Sequence, residues 1–252
     1  MGAGRPAPAP QRPQPKGGRP FADDKRCFAG IVYQLRNSIR WNAMPAEFPS
    51  GVTCWRRFDL RTKLGLWPRV HAIVLEELRD AGLLDTSEFF ADATFAEARK
   101  GGDCIGPTKG GVGTKIEIVT DAQGIPLAAF ADSAGVAEVH LLEPTLASIP
   151  ESIKIPDNVP PIADRAHDSA PLRQALAEQG VELLAPHRKN RTAKPTHDGR
   201  KMRRYRRRWK VERTFAWLHS YRRTVTRFER SIQRFDGFVS LACAFIALNR
   251  LL

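Results

Sequence analysis

The apolar positions change their period along the chain. From Phe21 to about Gly82 they recur three and four residues apart: Phe28, Ile31, Val32, Leu35 and Ile39, then Val70, Ile73, Val74, Leu75 and Leu78. That spacing predicts helices burying one face. Between the two runs lie Pro45, Pro49 and SGVTCWRRF, where Ser50 or Thr53 can cap a helix carrying Arg56, Arg57, Arg61 and Lys63. Residues 21–83 therefore suit a small helical DNA-binding module. They suit equally a helical subdomain whose Trp41, Trp55 and Trp67 fill its core.

After Leu84 the period becomes that of strands. SEFFADATF, GTKIEIVTDAQG and IPLAAFADSA read as three consecutive strands, with DAQG as a turn. A helix is expected over Glu138–Ser148, then a buried strand in PPIADRAHD, a helix in APLRQALAEQG closed by Gly180, and a strand in VELLAPHR. Hairpins followed by alternating strand and helix imply an α/β fold, a mixed sheet with helices on its faces. Helical periodicity resumes in WKVERTFAWLHSYRR and, strongly apolar, from Phe235 to Leu252.

Two stretches have no such pattern. Residues 1–20 hold six Pro and four Gly and read as a disordered tail, its KGGRP end as a linker. The basic connection over 187–204 is too long for an idle loop and is expected to touch a partner.

Charge sharpens this picture. The 252 residues carry 40 Lys and Arg against 27 Asp and Glu, a net of +13. From His187 to Arg234 there are 18 basic residues and three acids, so the rest of the chain, with 22 basic and 24 acidic residues, is near neutral. A block of this kind points to a polyanion such as DNA rather than to a uniform solubility bias. Cys27, Cys54, Cys104 and Cys243 form no CxxC pair, which argues against structural zinc. The apolar run Phe238–Leu248 is too short to cross a bilayer, so no membrane association is expected and a cytoplasmic protein is. KGGVGTK lacks the spacing of a nucleotide-binding loop.

Candidate chemistry rests on acids in unusual places. Asp92 interrupts the apolar strand FFADATF, and Asp164 ends PPIAD; a carboxylate there is costly unless cations or hydrogen bonds compensate. Two adjacent parallel strands ending in Asp would form a negative pocket suited to Mg²⁺, whereas an Asp taken singly is more often a cap or a salt-bridge partner. On the late helix Tyr205, Arg208, Glu212 and His219 fall within one stripe of roughly 60°. Glu212 by itself could be a surface partner of Arg208. His140 and His167 have no pairing that marks them as ligands, and Lys109 is read as an exposed, solvated cation.

FFADATF, ADRAHDS and YRRRWKVERTFAWLHSYRR together resemble the DDE transposases of bacterial insertion sequences, specifically the insertion sequence five family, from about Gly18 to the C-terminus. The resemblance implies an RNase H-like catalytic domain over 84–252 in which Asp92, Asp164 and Glu212 bind divalent metal, Mg²⁺ with Mn²⁺ as substitute. It implies metal-dependent cleavage at element ends and strand transfer into target DNA. Tyr205 and Arg208 would hold DNA phosphates or support Glu212, and His219 stands where many relatives carry Lys. Further phosphate contacts are expected from Lys115, Arg165, Arg188, Lys189, Arg56 and Arg57. The implied partners are double-stranded DNA, as terminal inverted repeats and target, and further copies of the chain on that DNA; the implied location is the bacterial cytoplasm, at the nucleoid when bound. The alternative is a catalytically inactive or domesticated nucleic-acid-binding protein derived from a transposase, and a nuclease that does not join strands would carry the same site.

Overall fold

A computed structural model of the protein describes residues 21–153, 155–156, 158–189 and 199–252; the Pro/Gly-rich start and the middle of the basic connection lie outside these residues. Three helices open the fold: α1 (Asp24–Asn37), α2 (Gly51–Lys63) and α3 (Leu66–Asp80). Asp23 caps α1 by accepting from the Arg26 amide at 2.8 Å, and Ser50 caps α2 by accepting from the Thr53 amide at 3.3 Å.

The sheet follows. β1 (Phe89–Ala98) pairs antiparallel with β3 (Gly111–Thr120), and β3 pairs antiparallel with β4 (Pro126–Ser133). Asp121 and Gly124, at φ +82°, make the turn between them: Asp121 Oδ1 accepts from the amides of Gln123 at 2.8 Å and Ile125 at 2.7 Å. The short β2 (Gly106–Thr108), which no alternation in the sequence announced, forms a hairpin with the start of β3.

On its other side β1 meets two short parallel strands. β5 (Pro161–Ile162) pairs with Phe89 and Phe90, and β6 (Thr226–Arg227) with Glu97 and Ala98. Among the described residues no strand covers positions 91–96 on that side, so the sheet has a gap in its middle. VELLAPHR, expected as a strand, contributes a single parallel bridge from Leu184 to Ile162.

Helices cover both faces, as a mixed sheet requires. After two helical turns over 138–147, the second being α4 (Leu142–Ala147), comes α5 (Ala170–Glu178); both pack with α3 over the face holding Phe89, Ala91 and Val119. α6 (Trp209–His219), α7 (Arg222–Val225) and the apolar α8 (Ile232–Leu248) close the chain. Leu218 of α6 and Phe235, Phe238 and Leu241 of α8 share one core with Ile116 and Ile118 and with Ile31, Leu35 and Phe58 of the opening helices. Trp67 is buried and stacks on Phe58, whose ring lies 4.1 Å from that of Phe238. No helix among the described residues is long and apolar enough to cross a membrane.

Candidate active site

The register of β1 and β5 brings two carboxylates together. Phe90 pairs with Ile162, and two residues further along each strand stand Asp92 and Asp164, at the start of the gap. Continued in parallel, such positions lie about 5 Å apart. Asp164 turns out of the strand and caps a single helical turn by accepting from the Ala166 amide at 2.8 Å. Asp92 and Ile118 are partners across β1 and β3, so Asp92 shares the face on which α6 packs.

Glu212 arrives from the first turn of α6 with 61% of its side chain exposed, against 16% for Asp92. Arg208, the residue preceding α6, joins the two: its guanidinium donates to Asp92 Oδ2 and, at 3.4 Å, to Glu212 Oε1. Its own position is set by stacking over Tyr205 at 5.7 Å. Burial opposes the charge on Arg208, but Asp92 and Tyr205 outweigh it and raise its pKa.

The two aspartates differ in charge environment. Burial, helped by the charge of Asp164, pushes the Asp92 carboxyl up against the pull of Arg208. Burial acts on Asp164 too, but hydrogen bonds from His167 and the Ala166 amide overcome it and hold that carboxyl below its usual range.

His167 explains the difference. Fully buried, it places Nδ1 3.0 Å from Asp164 Oδ1 and Nε2 2.8 Å from Glu117 Oε1. Two carboxylate acceptors require both nitrogens to carry protons, and although burial disfavours the charge, these bonds raise the imidazolium to about 10. Glu117 comes from β3 opposite Ala93, hence from the face opposite Asp92; burial raises its pKa, and its Oε2 has no hydrogen bond among the described residues.

Glu138 completes the group, offering an oxygen that lies with donor atoms of Asp164 and His167 within 4.8 Å of one another. An imidazolium with both nitrogens donating cannot ligate a metal, so only the two carboxylates of that trio qualify. Ion pairs tie Asp92 and Glu212 to Arg208, Asp164 and Glu117 to His167, and Glu138 to Lys115. Carboxylate oxygens are the donors that hard divalent ions prefer.

The remaining expected contacts scatter. Arg165, Arg188 and Lys189 are exposed beside Asp164, with the Arg188 guanidinium donating to the carbonyls of Arg165 at 3.2 Å and Ala166 at 2.8 Å. Lys115 is a correction. Its ammonium is buried, donates to Val136 O at 2.8 Å and lies 3.4 Å from Glu138, so it has no free face for phosphate. Arg57 is drawn inward to Asp24 at 3.6 Å, while Arg56 is exposed on α2. His219 faces Thr94 Oγ1 at 3.2 Å, and burial lowers its pKa, which disfavours the charged form. The four-residue stripe is not one α-helix: Tyr205 sits in a 3-10 segment, Lys201–Arg207, and the α-helix begins at Trp209.

Sequence reasoning missed Glu117 and the role of His167. The signal for His167 was its position three residues after Asp164; Glu117 showed only as an acid within the apolar run KIEIV.

Residues 84–247 match the family of the transposase DDE domain, and residues 6–71 match a family described as a transposase of the IS4/5 family. A protein of Burkholderia cepacia described as a transposase for insertion sequence element IS402 is 40% identical over 144 residues, 55% of this chain and 64% of that protein. One of Brucella ovis, described likewise for element IS6501, is 34% identical over 138 residues, 54% of this chain and 98% of that protein. Among solved structures, a piggyBac transposase in a synaptic complex with hairpin DNA superposes with a TM-score of 0.50 at 14% identity, over 95% of this chain and 69% of that one. The shared fold is the RNase H-like one.

Proposed function

Because the chain belongs to the transposase DDE domain family, we propose that it cleaves DNA at the ends of an insertion element and joins the released strand to target DNA. The observation that supports this reading is the strand register that sets Asp92 and Asp164 at matching positions beyond the Phe90–Ile162 pair, with Arg208 linking Asp92 to Glu212.

Asp92, Asp164 and Glu212 would hold two divalent ions, Mg²⁺ or Mn²⁺. Their donor chemistry fits: all three offer carboxylate oxygens, and Arg208 already places one cation between two of them. Such ions would supply Lewis-acid chemistry, activating the attacking oxygen and neutralising the leaving one in a phosphodiester displacement. The protein's own part is orientation. His167 holds Asp164 in place and favours its ionised state, and Arg208 spans Asp92 and Glu212. Arg165, Arg188 and Lys189 line the approach, where they hold phosphates. The helical segment 21–83 adds duplex contacts through the exposed Arg56, and two copies act together on the paired element ends at the nucleoid of a bacterial cell.

The test is cleavage of a duplex ending in the element's inverted repeat. Wild-type protein cleaves it with Mg²⁺ or Mn²⁺ and not with EDTA, while Asp92→Ala, Asp164→Ala and Glu212→Ala fall to background. Unimpaired cleavage by the Asp92 or Glu212 variant refutes the assigned site. Cleavage without joining in a strand-transfer assay identifies a nuclease. DNA binding that weakens steeply with salt, without cleavage, leaves only the nucleic-acid ligand.

A further inference from the structure

A second depression, of about 1170 Å³, opens at the Ala98 end of β1. It lies between the turn after α1, the start of α2, the tail of β1 and the segment from α7 to α8. Six residues of strand separate Asp92 from Ala98, roughly 20 Å at about 3.4 Å per residue.

Its floor is aromatic and its rim cationic. Trp41, Trp55 and Phe228 line it together with Arg40, Arg99, Lys100, Arg223, Arg230 and Arg234, against Glu229 as the one acid. Arg223 is taken by Glu229, Arg234 by Asp59 and Arg99 by Glu97. Arg40, Lys100 and Arg230 are exposed and have no ion-pair partner among the described residues.

The indoles are held in place. Trp41 is backed by Phe58 at 6.3 Å and Phe238 at 6.4 Å, and Trp55 lies under the Arg234 guanidinium at 5.5 Å. The walls are tight as well: a Cβ on Gly51 would stand 1.6 Å from the Trp41 carbonyl oxygen, and one on Gly102 2.1 Å from that of Arg230. Both indoles remain partly exposed.

We propose that this groove binds single-stranded DNA, with unpaired bases stacked on Trp55 and Trp41 and phosphates at Arg40, Lys100 and Arg230. Fixed aromatic faces beside unpaired cations are the recognition chemistry of single strands. Inside a duplex the base faces are already stacked on one another, so only an unpaired stretch can use the floor. The inference rests on the reading that the chain handles DNA, and it adds a site for the strand about 20 Å from the carboxylates.

The test uses the full chain in EDTA, which removes metal binding at Asp92 and its neighbours. Fluorescence anisotropy is read with a labelled oligodeoxythymidylate, its RNA counterpart and a blunt duplex. Trp55→Ala and, separately, the surface double variant Arg40→Glu/Lys100→Glu are expected to weaken single-strand DNA binding roughly tenfold or more. Duplex binding changes less for Trp55→Ala. The double variant keeps the proposal testable if Trp55→Ala unfolds. Wild-type affinity in both folded variants, equal losses for single strand and duplex in Trp55→Ala, or tighter binding of the RNA each overturns the assignment. Metal-dependent cleavage with wild-type single-strand affinity in the groove variants sinks the groove alone. Groove-dependent binding without any cleavage sinks the catalytic reading alone.

Discussion

At the Ala98 end of β1, Arg227 is fully buried, and its five N–H groups all find acceptors: the carbonyls of Glu229, Cys104, Asp103 and Arg230, Thr114 Oγ1 and Asp103 Oδ1. Its guanidinium also stacks on Phe235 at 5.5 Å. At the Asp92 end, Glu117 keeps an oxygen without a hydrogen bond among the described residues, and Glu212 reaches into solvent. Both ends bury charge beside the same strand. The buried guanidinium of Arg227 is satisfied and so serves the fold; the acids at the second end leave polar atoms that a ligand can satisfy.

Removing Arg227 gives the largest effect. Arg227→Ala strands Thr114, Asp103 and several carbonyls in the interior and is expected to cost about 3–5 kcal/mol in urea unfolding. A loss under about 1 kcal/mol would end the contrast, since surface arginines behave that way.

The next test concerns the imidazolium that joins the two faces of the sheet. His167→Ala leaves Glu117 buried without its donor, an expected loss of roughly 1–3 kcal/mol or more. Its pH dependence has a definite sign. A base raised in the folded state contributes stability that is complete below its unfolded value near 6.5 and is lost as pH rises through about 10. Stability curves of metal-free wild type and variant should therefore converge between these values; parallel curves would show that His167 is neutral in the fold.

The smallest effect has the opposite direction. Because its surroundings disfavour ionisation of Asp92, Asp92→Asn is expected to stabilise the metal-free protein by about 1 kcal/mol or less while abolishing cleavage. Addition of Mn²⁺ should raise the melting temperature of the wild type and not of the variant. A destabilised Asp92→Asn protein would place Arg208 among the supports of the fold rather than of the site.

Local pattern made much of this legible. The helical periods of α1, α3 and α8 and the alternation of β1, β3 and β4 follow from which side chains must leave water, and the turn at Asp121–Gly124 from backbone chemistry. The apolar runs ahead of Asp92 and Asp164 were legible as strands, but their parallel pairing was not, because each Asp alone also serves as a cap or an ion-pair partner, as Asp164 and Asp92 do. VELLAPHR was read too strongly: its apolar residues are buried, but one bridge satisfies the local geometry and a strand was not required. For Trp41 and Trp55 the sequence left core filling and a DNA-binding module open, because it does not say which face of an indole meets solvent; Trp41 packs against the core and both stay partly exposed.

The basic block shows where sequence stops. Its composition establishes an excess of positive charge over His187–Arg234, with Arg208 and Glu212 four residues apart on adjoining helical turns. It does not say that Arg227 and Arg223 are core residues, that Lys210 donates to Ala122 O at 2.6 Å, or that Arg207 and Arg208 answer Glu88 and Asp92 more than a hundred residues away. Periodicity is a local property of the chain and is written in it. Burial and partnership depend on which distant segments the sheet register sets side by side, so only the tertiary structure decides which cations belong to the fold and which are left for a ligand.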